Sequence, residues 1–325
     1  MIILPVIATI VISDGPGFCA PSGQEKTTAG YRGPPAATKN GAASMKAQKE
    51  IERIRGGGRF EGDLRPFTDP DAEALDLLAS ELRQNNAVPV RDQIVRILVS
   101  LAKQPDPSQR IRNPRIVAIF LNDGATHADG PFMHAMAELA EHATPEALAE
   151  FRPTLGRLAA KAPVPDLFLV IAKAKAREAL PAMRKLEKED RWAKDDRFRI
   201  ALAALGDHTH EAYFTGRFRA TTTPKEKVAL AEKLSKIGTA SALKALAEEM
   251  RSPLVVSIPG SFEFSVRVEI AKALWVHYPD KPFLSAIKTE ADYDRVEKFC
   301  EREFGVTWST PRPPFLVFRE LPADH

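Results

Sequence analysis

Cysteine is scarce in this chain of 325 residues, which contains only Cys19 and Cys300. Two cysteines so far apart do not form a disulfide framework, and they do not stand at a spacing that zinc sites use. The sequence therefore excludes small proteins that are stabilised by several disulfide bonds, and it excludes metal sites formed by cysteines. Cys300 falls at an inward position of a predicted late helix, where we expect a buried thiol.

Motifs that carry chemistry are also missing. The sequence has no Gly-rich phosphate loop, no Gly-x-Ser-x-Gly nucleophile elbow and no His-Glu-x-x-His zinc motif. His134, Glu138 and His142 share one predicted helix face, but the two histidines lie about 12 Å apart along the helix axis. We expect a polar outer face there. The sequence indicates no cofactor and no small-molecule substrate, and it favours a protein that is not an enzyme.

Long apolar runs are absent as well, since none reaches the roughly 20 residues that a membrane-spanning helix needs. Residues 1–12 resemble the apolar region of a secretory signal, and Ala20-Pro21-Ser22 resembles its cleavage site, although no Lys or Arg precedes the run. We expect residues 1–22 to be a signal-peptide-like segment of a chain exported by a bacterial-type route, to the periplasm or outside the cell. The alternative is a cytoplasmic chain whose first residues form a buried strand or short helix.

The chain has little excess charge, +3 overall, which does not favour nucleic acid as a partner. The charge is unevenly placed, however. Residues 151–251 hold 21 Lys and Arg and 13 Asp and Glu, a surplus of +8 that leaves −5 for the remainder. Solvated outer faces of helices explain this surplus in the simplest way. The alternative is a basic surface that meets an acidic partner.

Proline is abundant, at 26 residues, and predicts many short elements separated by turns. Residues 23–43 are rich in Gly, Pro, Ala, Thr and Lys without an apolar period. We therefore predict a disordered linker over 23–68 containing a short helix at 44–55. Apolar stripes at helical spacing predict a helical repeat domain over 69–306, and the proline-marked residues 307–325 predict an extended tail.

Residues 223–253 show the repeating unit most clearly. Thr223, Pro224 and Glu226 match a Thr-x-x-Glu capping box with proline in the first helical position. Gly238 follows the first apolar stripe and predicts a left-handed helix end, after which Thr239 or Ser241 begins a second helix. Two amphipathic helices of this kind leave apolar faces uncovered, so the pair needs similar neighbours on both sides.

A recurring phrase supports such neighbours. A cation is followed four residues later by a small or branched apolar residue, and then by Leu seven or eight residues after the cation, in four places. The phrase occurs as Arg91/Val95/Leu98, Arg197/Ala201/Leu205, Lys227/Ala231/Leu234 and Arg267/Ala271/Leu274. With weaker copies near Arg115 and Leu155, the unit is about 30–40 residues, a period typical of stacked helical hairpins.

Residues 196–207 and 266–274 resemble the HEAT-repeat family (armadillo-type α-solenoids), in which an Asp and an Arg at the start of the second helix bond adjacent repeats. The resemblance implies an all-α fold, a right-handed α-solenoid of stacked helical hairpins, and a non-enzymatic scaffold that binds protein partners on its concave face. On this chain the residues implied for that face are Arg197, Arg199, Lys227 and Arg267.

The apolar segment 253–265 interrupts two repeat helices and carries Phe262 and Phe264. An insertion at the rim of a repeat array is a common place for binding, so these two residues join the predicted protein-binding set. The simpler alternative is a small hairpin that covers the core.

One enzymatic alternative stays open. His208 and His210, flanked by Asp207 and Glu211, stand in a predicted turn that brings side chains together, and such a set suits a divalent metal. This predicts a metal-dependent hydrolase or lyase. Trp192, close to Asp195 and Asp196, suggests a base-excision enzyme much more weakly, and we expect it to be an apolar staple at a helix start.

Overall fold

The computed structural model describes residues 41–62, 64, 67, 72–103, 110–258, 262–314, 316 and 318–320. The signal-peptide prediction for 1–22 and the linker prediction for 23–40 lie outside the described residues. Within these ranges the chain is mostly helical, which confirms the all-α class in its main part. None of the helices that are described has the length and apolar character needed to cross a bilayer.

The described helices and strands follow one another with short connections. The helices are α1 (Gly41–Arg55), α2 (Ala72–Gln84), α3 (Val88–Ala102), α4 (Pro114–Gly124), α5 (Gly130–His142), α6 (Pro145–Ala149), α7 (Arg152–Lys161), α8 (Pro165–Ala174), α9 (Leu180–Leu186), α10 (Asp190–Ala193), α11 (Asp196–Ala204), α12 (His208–Ala220), α13 (Pro224–Ile237), α14 (Ala240–Glu248), α15 (Val266–Trp275) and α16 (Glu290–Phe304). The strands are β1 (Val255–Ile258), β2 (Phe262–Ser265) and β3 (Phe318–Glu320).

Helix α1 belongs to the packed core, although the sequence placed it in a linker. Ala47, Ile51 and Ile54 stand at helical spacing and are buried, and α1 contacts α2 and α3. The rest of the helix is polar and charged. This composition is the reason why the sequence predicted a linker in this region. The short helix predicted at 44–55 is therefore present, but it packs on the core and does not stand apart in a linker, because three apolar residues are enough to attach it.

Six helices that are not neighbours in the chain contact one another in a row. Helix α3 packs on α5, α5 on α8, α8 on α11, α11 on α13 and α13 on α15, and we call these six helices the α3–α15 series. Helices between them pack on the same neighbours, as α4 does on α5, α7 on α8, α12 on α11 and α13, and α14 on α13 and α15. Helix α8 is central and contacts α5, α7, α11 and α13. Six of its ten residues are buried.

The four strong copies of the repeat phrase all fall in the α3–α15 series. Their cations stand within the first four residues of α3, α11, α13 and α15. The weaker copies near Arg115 and Leu155 lie instead in α4 and α7, so that part of the repeat assignment is wrong. The members of the series at those places, α5 and α8, begin with Gly130-Pro131 and Pro165-Asp166 and have no Lys or Arg among their first four residues.

A buried charge cluster joins the first four helices of the repeat domain. Arg91 is fully buried; its Nε donates to the carbonyl oxygen of Leu82 at 3.0 Å, its Nη2 pairs with Asp123 at 2.5 Å, and its Nη1 pairs with Asp129. The Nδ1 of His127 lies 3.1 Å from the other carboxylate oxygen of Asp123. Burial raises the pKa of Asp123, against the opposing charge of Arg91. Because these groups come from α2, α3, α4 and the start of α5, the cluster fixes how two hairpins meet.

The helix ends follow the sequence signals in most places. Gly238 and Gly305 adopt the left-handed conformation after α13 and α16, as the sequence predicted for Gly238. Thr239 caps α14 through a bond from the N–H of Ala242. The capping box predicted at Thr223 is wrong, since the Thr223 side chain makes no cap bond. Glu226 instead accepts from Thr221 and pairs with Arg217.

This difference predicts unequal effects of two threonine substitutions. Thr289 forms a true capping box with Asp292 at the start of α16. We expect Thr289→Ala to lower the free energy of unfolding by about 0.5–2 kcal/mol, and Thr223→Ala to change it by less than about 0.5 kcal/mol. Urea unfolding followed by far-UV circular dichroism measures both, and equal losses would contradict the assignment.

The predicted insertion and tail meet in one small sheet. β1 and β2 form an antiparallel hairpin with Val256 opposite Phe264, and β3 adds to the other side of β2 with Phe264 opposite Phe318. The structure thus confirms the hairpin alternative for 253–265. It also places strand β3 in the predicted extended tail.

Side-chain bonds hold the tail on the last helices. The indole Nε1 of Trp308 donates to the carbonyl oxygen of Glu248 at 2.9 Å, and Arg251 donates to that of Thr310 at 2.9 Å. Arg251 and Arg312 share the buried carboxylate of Glu297, and these two guanidiniums hold its pKa below the usual range although burial opposes them. The tail therefore closes the end of the helical array.

Candidate functional site

Lys227, one of the four cations predicted to face a partner, is buried inside the chain. Its Nζ donates to the carbonyl oxygen of Phe218 at 2.6 Å and pairs with Glu249 at 2.9 Å. It also lies 4.8 Å from the centroid of the Phe218 ring. The side chain is only 2% exposed, so Lys227 ties α13 to its neighbours and does not present its charge to a partner.

Arg267 is used in the same way at the start of α15. It donates to Ser265 at 3.0 Å and to the carbonyl oxygen of Pro314 at 2.7 Å. Its guanidinium carbon lies 4.7 Å from the centroid of Tyr293. Since Arg267 is 4% exposed, it anchors the tail and is not available at the surface. Both buried cations show why this phrase recurs: a long basic side chain satisfies carbonyl groups at the ends of adjoining elements.

Arg197 and Arg199 remain at the surface, at the start of α11. Arg197 is 42% exposed and pairs with Asp166 of α8 at 3.1 Å and with Asp195 at 3.4 Å. Although burial opposes it, bonding to Asp195 and the charge of Asp166 raise the pKa of Arg197. The bond from α11 to α8 joins two members of the α3–α15 series.

Arg199 contacts an exposed aromatic ring. Its Nε donates to the carbonyl oxygen of Ala193 at 2.7 Å, and its guanidinium carbon lies 4.8 Å from the ring centroid of Tyr213 on α12. Arg217, one turn further along α12, donates to the Tyr213 hydroxyl at 3.0 Å and lies 5.6 Å from the same ring centroid. The bond to Glu226 raises the pKa of Arg217. Tyr213 is 38% exposed, so an aromatic ring with two cations faces solvent.

Helix α10 lies next to Arg199, whose Nε donates to the carbonyl oxygen of Ala193. The guanidinium of Arg191 lies over the indole of Trp192, 4.6 Å from the ring centroid. Trp192 packs edge-on against Phe168 at 5.1 Å. We call Arg191, Trp192, Arg199, Tyr213 and Arg217 the Arg–Tyr patch. Arginine, tyrosine and tryptophan are the residues that most often dominate protein interfaces, and guanidinium groups suit carboxylates.

The two phenylalanines of the insertion lie in β2. Phe264 is partly buried and packs against the core. Phe262 pairs with Ile258 of β1 and Glu320 of β3 through the backbone. Since β2 is bonded on both sides, no edge of this strand is open to a partner strand.

His208 and His210 do not form a pair of ligands. They stand in the first turn of α12, with Asp207 as the N-cap, and not in an open turn as the sequence suggested. His208 is 93% exposed beside Glu211 at 3.5 Å, while His210 bonds Glu187 at 2.9 Å. Among the described residues, no group of three or more His, Cys, Asp and Glu is arranged to hold a metal ion.

His134, Glu138 and His142 are half-buried and do not form the open polar face that the sequence predicted. His134 lies 3.1 Å from Asp92 of α3, and Glu138 pairs with Lys103 at 2.9 Å. His134 and Glu138 therefore take part in the contact between α5 and α3, whereas His142 lies 3.7 Å from Glu138 and Glu141 of its own helix. Sequence periodicity places them on one face but does not show that another helix covers that face.

Sequence reasoning missed Tyr213 and Arg217. The signal was present in α12, where an aromatic residue and an arginine stand four positions apart and thus meet on a helix surface. The signal was hidden because α12 has a weak apolar stripe and because the histidines at its start suggest a metal site instead. Arg191 and Trp192 were missed as a pair, although they are adjacent.

Comparison with protein-family models, with curated proteins and with solved structures finds no match to this chain.

Proposed function

We propose that this chain is a non-enzymatic protein-interaction scaffold built on a HEAT-like, right-handed stack of helical hairpins. The order of contacts in the α3–α15 series supports the stack, since each helix packs on the next member of the series. Bonds of the kind that the resemblance implies join members of the series, as between Arg197 and Asp166. The proposal includes export of the chain, which depends on residues 1–22.

The Arg–Tyr patch is the proposed partner surface, and the observation that carries it is the exposure of Tyr213 beside two guanidinium groups. A tyrosine ring costs little conformational entropy when it becomes buried at an interface, and its hydroxyl bonds at the rim. Of the predicted cations, Arg197 and Arg199 stay at or beside this surface. Lys227 and Arg267 support the scaffold from within.

A photo-crosslinking amino acid tests this surface. We expect p-benzoylphenylalanine at position 213 to yield a discrete crosslinked protein when the chain is incubated with an extract of its own cells. The same group at Met133 of α5, which is 44% exposed, is the matched control and should yield no such band. Adding Arg199→Gln to the position-213 variant should weaken the band. Equal labelling at both positions, or none at 213, would contradict the proposed surface.

A further inference from the structure

Trp192 has an unusual environment within the Arg–Tyr patch. The residue is 5% exposed, yet its indole Nε1 is buried without a hydrogen-bond partner in the part of the chain that the structure describes. A buried indole N–H usually finds an acceptor, because leaving it unpaired costs free energy. An acceptor from another molecule that reached this donor would satisfy it and remove that cost.

The cover over this indole is easily moved. The side chain of Arg191, which lies over the ring, is 67% exposed and pairs with Glu189, itself 48% exposed, at 3.1 Å. An exposed ion pair of this kind contributes about 0–1 kcal/mol. Phe168 and Phe198 hold the indole from within the core. Movement of the Arg191 side chain away from the ring therefore breaks only this exposed ion pair and the cation–π contact, and it leaves the contacts of Trp192 with Phe168 and Phe198 in place.

Charge gives the chemistry of the partner. Arg199 is bonded to the carbonyl oxygen of Ala193 and to the Tyr213 ring, and no carboxylate in the described ranges pairs with it. It lies within residues 151–251, whose surplus of +8 contrasts with −5 for the rest of the chain. A carboxylate on a partner complements the guanidinium of Arg199, which has no such partner within the described ranges.

We propose, on the basis of the proposed function, that the Arg–Tyr patch recognises an extended acidic segment of a partner protein. One carboxylate of the segment pairs with Arg199, and another draws Arg191 away from Trp192. A carbonyl or carboxylate oxygen of the segment then accepts a hydrogen bond from the Trp192 Nε1. Nucleic acid suits the surface less well, because its phosphates form a regular row of charges, whereas Arg199 is the single arginine of the patch that has no carboxylate partner in the described ranges.

The probe is a fluorescein-labelled ten-residue peptide of alternating Glu and Gly, and its binding to the full chain is measured by fluorescence anisotropy. We expect saturable binding that weakens as salt rises, and at least about tenfold weaker binding of the matched Gln–Gly peptide. Arg199→Gln should weaken binding on the order of tenfold. Arg157→Gln is the matched control and should leave binding unchanged, since Arg157 is exposed on α7 and, among the described residues, bonds only Thr154.

Tryptophan fluorescence tests the part played by Trp192. The acidic peptide should change the emission of the wild-type chain, and Trp192→Phe should remove that change and weaken binding. Arg191→Gln should keep the fluorescence change, because it removes the cover and leaves the indole in place. Thermal unfolding of each variant separates lost binding from lost folding.

Three results would overturn the inference. The first is equal binding of the Glu–Gly and Gln–Gly peptides. The second is tighter binding of a single-stranded oligonucleotide of equal charge, which assigns the patch to nucleic acid. The third is self-association that Arg199→Gln abolishes, which assigns it to a second copy of this chain. If position 213 crosslinks to a partner but the chain does not bind the peptide, the acidic-segment proposal is refuted and the scaffold proposal stands. If the chain binds the peptide but no protein is crosslinked, the scaffold proposal is refuted.

Discussion

Replacing Arg91 by methionine is expected to lower the free energy of unfolding by about 3–5 kcal/mol, the cost typical of removing one partner from a buried ion pair. Arg91 is fully buried, and Asp123 beside it is 1% exposed. Without the guanidinium, the Asp123 carboxylate stays buried with His127 as its remaining neighbour in the cluster, and the Leu82 carbonyl loses its donor. Urea unfolding monitored by circular dichroism measures the loss.

The same helix provides the control. Arg96 is 56% exposed and pairs with Asp92 at 2.9 Å, so Arg96→Met should cost less than about 1 kcal/mol. Adding Asp123→Asn to Arg91→Met should recover part of the lost stability, because it removes the uncompensated charge. Equal costs for the Arg91 and Arg96 variants would show that the buried cluster does not hold the hairpins together.

Removing residues 308–325 is expected to cost at least about 4 kcal/mol, since hydrogen bonds to charged groups contribute about 1.5–3 kcal/mol each. The deletion takes away the Trp308 bond to Glu248 and the Arg312 pair with Glu297. It also removes the Pro314 carbonyl that accepts from Arg267. The last helices, α15 and α16, should then open first, which limited proteolysis detects as early cleavage around them.

A shorter deletion separates the tail contacts from the length of the chain. Removing only residues 321–325 takes away none of the contacts described for the tail and should change the unfolding midpoint little. A large loss from this shorter deletion, or a negligible loss from the longer one, would contradict the anchoring function of residues 308–320.

Much of the fold was predictable because helix signals are local. The buried run in α8, the glycine after α13 and the glycine after α16 each act through their own neighbours in sequence. Contacts between distant elements were not predictable in this way. Glu226 bonds Thr221 and Arg217 in place of a capping box, and no pattern within residues 223–226 shows that these competing donors lie within reach.

The candidate site was only partly predictable for a related reason. A cation at the start of a repeat helix looks the same in sequence whether it bonds a buried carbonyl, as Lys227 does, or reaches an exposed ring, as Arg199 does. The difference depends on which elements cover each helix start. Tyr213 shows the limit most clearly, because its contact with Arg199 requires α11 and α12 to pack side by side.

The central strand of the small sheet has a consequence for biosynthesis. Because α15 and α16 stand between β2 and β3 in the sequence, the ribosome completes the β1–β2 hairpin well before the strand that covers its outer side. During that interval the nascent chain carries an unpaired backbone edge with aromatic residues, which is prone to join other chains. Ribosome stalling or slow translation between residues 265 and 318 should therefore favour aggregation, and a chaperone that shields the open edge should suppress it.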